Sequence, residues 1–103
     1  MIEVIVAPQA RADLARIVLH LASVASVATA GRWNDRLWAV VDGIAEFPGS
    51  GAPRPQLGTH IRIKIVTPYI VIYEHESGSH RAFVLRVVHG RRRITKKILH
   101  DRG

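Results

Sequence analysis

Residues 48–66 read PGSGAPRPQLGTHIRIKIV, and the fold turns on this stretch. Its first eight residues, Pro48-Gly49-Ser50-Gly51-Ala52-Pro53-Arg54-Pro55, hold three prolines and two glycines, too many breakers for regular structure. Before it, apolar residues recur with the 3.6-residue period of helices. After it they recur with the period of 2 that marks strands. Ile61, Ile63 and Ile65 are expected on one side, with His60, Arg62 and Lys64 on the other.

Upstream, Ile2 to Val6 alternate around Glu3 and are rich in β-branched types, so a first strand is expected. Pro8 suits the first turn of a helix, where its missing N–H is not needed. Leu14, Ile17, Val18, Leu21 and Ala25 then form a helical stripe, and Asp13, Arg16 and His20 lie off it, toward water. Ser26 has the chemistry of an N-cap for a second helix. Ala30, Trp33, Leu37, Val40, Val41 and Ile44 make the stripe of that helix. A short connection between the two predicts an antiparallel hairpin. Downstream, Thr67-Pro68 reads as a tight turn, 69–75 (YIVIYEH) as a strand, 76–79 as its exit loop and 81–88 (RAFVLRVV) as a further strand. Sequential strands with short links predict an antiparallel meander. The expected class is α+β, in the order β-α-α-β-β-β, with the helical hairpin packed on the meander sheet.

Composition narrows the function. The 103 residues form one domain, 1–103, large enough to bury a core without a staple. Without cysteine there is no disulfide framework, thiolate zinc site or cysteine nucleophile. No apolar run approaches a membrane span, and the start lacks the features of a signal peptide, so a cytoplasmic location is expected. The six histidines show no HxH or HExxH spacing, so no metal and no cofactor is expected.

The charge is the informative quantity. Fifteen Lys and Arg, twelve of them arginine, against eight Asp and Glu give +7. Residues 89–103 alone carry +5, as a basic C-terminal tail with a thin apolar edge of Ile94, Ile98 and Leu99. His89, Arg91, Arg92, Arg93, Lys96 and Lys97 are therefore the candidates for contact with an acidic target, because guanidinium forks suit carboxylate and phosphate alike. The plainer alternative is a solvated terminus. Arg62, Lys64 and Arg86 are expected to share a sheet face. With His89 they would resemble a metal-free ribonuclease site, with Tyr73 and Glu74 as weaker acid–base candidates. Against that stands an ordinary solvated face with cross-strand pairs to Glu74 or Glu76. Trp33 sits on its stripe and reads as core. Leu19 and Trp38 lie off theirs and fit either a core rim or a groove for a partner segment.

Taken together these pieces resemble the ParE branch of the RelE/ParE toxin superfamily, from bacterial type II toxin–antitoxin modules. The matching segments are Ala12-Asp13-Leu14-x-x-Ile17, Ala30, the Leu37-to-Ile44 run, the Pro48…Gly51…Arg54…Leu57 loop, Arg62, Tyr69-Ile70-Val71-Ile72-Tyr73 and Val84-Leu85-Arg86-Val87-Val88-His89-Gly90-Arg91. The resemblance implies a non-enzymatic toxin that inhibits DNA gyrase, arrests growth and serves plasmid stabilisation. It also implies a ParD-type antitoxin, a ribbon-helix-helix protein with an acidic tail. That tail is expected to cover Leu19 and Trp38 and to meet Arg62 or Arg86. Nucleic acid enters only indirectly, through gyrase or the antitoxin–operator complex. The alternative is the RelE-type ribosome-dependent mRNA endonuclease. Its strand typically reads Tyr-Arg-Val-Ile-Tyr, and a catalytic aromatic often follows its C-terminal His-Arg segment. Here Ile70 replaces that arginine and no tyrosine follows His89. A small basic interaction domain without toxicity is the third reading.

Overall fold

A computed structural model describes residues 1–100. Strand β1 (Glu3–Val6) leads through Pro8 into helix α1 (Pro8–Val24). Helix α2 (Val27–Glu46) follows almost at once, and the Ser26 Oγ accepts a hydrogen bond from Thr29 N–H at 3.0 Å as its N-cap. Two residues, Ala52–Pro53, form β2, so the proline- and glycine-rich loop holds a short edge strand after all. The prolines tolerate this because β2 lies at the sheet edge, where a missing donor costs least. Strands β3 (Ile61–Val66), β4 (Tyr69–Glu74) and β5 (Arg81–His89) complete the sheet, and a 3₁₀ turn (Lys96–Leu99) closes the tail.

The strand order is β1-β5-β4-β3-β2. The β3-β4-β5 meander is antiparallel as expected, whereas β1 joins β5 in parallel, with Val6 opposite Val84. The fold is thus α+β in the order β-α-α-β-β-β, extended by the β2 edge. A bulge between β4 and β5 sets Ile72 against Arg86 and Tyr73 against Val84, leaving Leu85 as the extra residue.

Each sheet face carries its own core. The helices cover one, where Leu37, Val41 and Ile44 of α2 meet Val71, Tyr73 and Val84, all fully or nearly fully buried. Burial of each such aliphatic side chain stabilises by roughly 1.5–3 kcal/mol. The opposite face gathers Leu57, Ile61, Ile63, Ile72 and Val88 under Ile98 of the tail. Ile65 shares the strand parity of Ile61 and Ile63 but is 64% exposed, because this second core stops short of it. The Tyr73 hydroxyl crosses the sheet rim. It accepts from Gly51 N–H and donates to the Pro48 carbonyl, each at 2.8 Å, which pins the loop to the sheet. A Cβ on Gly51 would lie 2.6 Å from that hydroxyl, so only glycine fits there.

Candidate functional site

Asp13 organises the region where α1, the end of β5 and the tail meet. The sequence spacing sends it toward water, but it is 4% exposed. The cause lies in the sheet. Strand β1 ends at Val6, so beyond Val84 the β5 edge has no strand beside it. The first turns of α1 run alongside, and Asp13 Oδ2 accepts the Val87 N–H at 2.9 Å in place of a strand partner. The same oxygen accepts from Arg86 Nε at 2.7 Å, and Oδ1 accepts from Arg86 Nη2 at 3.0 Å, a bidentate fork. Arg16 Nη2 adds a further bond to Oδ1 at 2.6 Å.

Arg86 is therefore not part of an open basic face. It is 1% exposed, and its Nη1 also donates to the Ile98 carbonyl at 2.6 Å, tying the tail to the core. Arg62 is half-buried and donates to the Gly49 and Gly51 carbonyls, at 3.2 and 2.7 Å. Lys64 Nζ donates to Ser50 Oγ. The expected cluster of Arg62, Lys64 and Arg86 does not form, because loop 48–51 takes two of these cations and Asp13 takes the third.

The groove candidates also separate. Leu19 stands 70% exposed on α1. Trp38 is half-buried against the helix-side core, with the Arg11 guanidinium 5.8 Å from its ring centroid. It is a rim residue of the core.

The target candidates start from a rigid point. Trp33, Tyr69 and His89 stack edge-to-face in series, with ring centroids 5.3 and 5.8 Å apart. Burial pushes the Tyr69 phenol above its ordinary pKa, so the ring stays neutral. The Arg91 N–H donates to His89 Nδ1 at 3.0 Å, which leaves the imidazole proton on Nε2 as an outward donor. Arg92 N–H bonds the His89 carbonyl in a turn that brings the chain back toward α1. Arg91, Arg92, Arg93, Lys96 and Lys97 are all exposed, while Ile98 is 3% exposed and Ile94 and Leu99 pack partly beneath. The tail is docked by its apolar edge and presents its charge outward. Asp101 and Arg102, which the charge count includes, lie outside the described residues.

Asp13 is the residue that sequence reasoning missed. It follows Ala10 by three and precedes Ile17 by four, so helical spacing puts it on the edge of the buried stripe.

A family model described as the ParE toxin of the type II toxin–antitoxin system parDE matches residues 4–94. Among solved structures the chain is similar to one from the chromosomal ParDE TA system of P. aeruginosa, with a TM-score of 0.73 at 19% identity, covering 86% of this chain and 96% of that one. At that identity the likeness speaks for the fold. No curated protein matches the chain.

Proposed function

The chain belongs to the ParE toxin family of type II toxin–antitoxin systems, and from that premise we propose that it inhibits DNA gyrase by binding, through its docked basic tail. Exposed Arg91, Arg92, Arg93, Lys96 and Lys97 on a segment anchored by Ile98 carry this reading. Anchoring lowers the ordering cost of a charged contact and holds its geometry. Action by binding rather than by catalysis accords with the family. It also accords with the commitment of Arg86, and of Arg62 Nη1, to internal partners.

The neutralising partner in this reading is a ParD-type antitoxin whose acidic segment lies over Leu19 and Trp38. Arg62 lies at its margin, and Arg86 acts only through the tail that it holds. The whole chain acts as one domain in the bacterial cytoplasm; no described helix is long and apolar enough to cross a membrane. The test is growth arrest on expression in a bacterial host. Wild-type chain should arrest growth, and co-expression of a ParD-type antitoxin should relieve it. Replacing Leu19 by Arg together with Trp38 by Ala should weaken the toxin–antitoxin complex by a few kcal/mol. Affinity unchanged in that variant would move the antitoxin contact elsewhere.

A further inference from the structure

A cleft of about 330 Å³ opens between α1 and the end of β5, with Arg16 and His20 on one wall and His89 and Arg92 on the other. Its floor is Ile17, Tyr69 and Val88. Among the described residues Asp13 is the only acid that lines it, and its carboxylate is shared between Arg86 and Arg16. The two arginines at the mouth thus leave a net positive charge, and among the described residues Arg92 makes no ion pair. Like charges drawn to one cleft over an apolar floor repel more strongly than in open water, unless an anion enters between them.

We propose that this cleft is a phosphate site for duplex DNA, at which the toxin contacts the DNA itself and not the enzyme alone. Arg92 offers a planar fork suited to a phosphodiester, Arg16 offers the N–H groups that its bond to Asp13 leaves over, and His89 adds an Nε2–H donor. The positive track continues from Arg92 along Arg91, Arg93, Lys96 and Lys97. No exposed large apolar side chain lines the cleft; Leu19, Phe47 and Ile65 all lie outside it. The cleft's apolar residues, Ile17, Tyr69 and Val88, stay buried or half-buried in its floor, and charge at the mouth without a protruding apolar anchor is the make-up of a nucleic-acid interface more than of a protein one. The choice of duplex DNA among polyanions rests on the gyrase-directed reading above.

The test titrates purified chain onto a fluorescently labelled DNA duplex, read by anisotropy between about 50 and 200 mM salt, with no gyrase present. Binding should weaken steeply with salt. Arg16→Ala with Arg92→Ala should lower the low-salt affinity at least tenfold and flatten the log–log salt slope by about two. Arg16→Lys, which keeps the charge, should retain most of the affinity and controls for the loss of the Asp13 contact. Arg81→Ala, at the far end of β5, should change little. Equal losses from Arg81→Ala and from the cleft pair would reduce the effect to net charge and overturn the site. Tighter binding of single-stranded RNA, or full competition by polyglutamate of equal charge, would overturn the assignment to DNA. A chain that poisons gyrase yet ignores the free duplex would overturn this inference and leave the proposed function standing. Duplex binding lost in the cleft pair, with no effect of the wild-type chain on gyrase, would support the site and sink the gyrase reading.

Discussion

At the scale of single residues, Asp13 and Arg86 are the pair on which most else depends. The pair is nearly fully buried, and its attraction has to offset the desolvation of both charges. Its net worth is therefore small, while the cost of breaking it is large. Asp13→Ala takes the carboxylate from the buried Arg86 guanidinium and orphans the Val87 N–H, so we expect a loss of about 3–5 kcal/mol in urea unfolding. Replacing both partners, Asp13→Leu with Arg86→Met, should recover part of that loss. Recovery stays partial because Val87 N–H and the Ile98 carbonyl still lack partners. A double variant no more stable than Asp13→Ala would show that the backbone bonds, not the charges, dominate. Tyr73→Phe tests a second rivet. It removes the acceptor of Gly51 N–H and the donor to Pro48, and should cost about 1–3 kcal/mol by the same measurement.

At the scale of elements, the tail combines two functions that substitution can separate. Its apolar edge completes the core on the open sheet face, and its cations face outward. Ile98→Ala should destabilise by about 2–5 kcal/mol. Charge removal at Arg91, Arg93, Lys96 or Lys97 should each stay within about 0.5 kcal/mol, as surface changes do. Truncation after Gly90 uncovers Leu57, Ile63 and Ile72 and is therefore a poor probe of toxicity, whereas charge reversal leaves the dock in place. The elements themselves were largely legible in the sequence. The period switch at Pro48 separates the helices from the meander, and Pro8 and Ser26 mark the helix starts. What the sequence hid depends on long-range pairing. The parallel docking of β1 beside β5 leaves no trace in local periodicity. Nor does the bare β5 edge beyond Val84, and that edge is what draws Asp13 inward. The fate of Arg62 was hidden for the same reason: carbonyls of a loop eleven and thirteen residues away capture it.

At the scale of the whole molecule, the two faces of the sheet divide the work. The helical hairpin builds the larger core, with Trp38 at its rim and Leu19 outside it. The opposite face depends on the tail, so in the proposed reading the target contact and the fold meet in one segment. Much of the +7 charge sits there, and it raises association rates with acidic partners while weakening with salt. Loss of a single arginine should therefore change toxicity little, and loss of the cluster should change it greatly.

In the proposed function a docked basic tail poisons gyrase. The most direct measurement adds purified chain to DNA gyrase and supercoiled plasmid and follows the trapped, gyrase-cleaved linear DNA. We predict that wild-type chain accumulates linear DNA in proportion to its concentration. The triple reversal Arg91→Glu, Arg92→Glu and Arg93→Glu should abolish this while its urea midpoint stays near wild type. Trapping that survives the triple reversal in a folded protein, or mRNA cleavage on translating ribosomes with no effect on gyrase, would contradict the account.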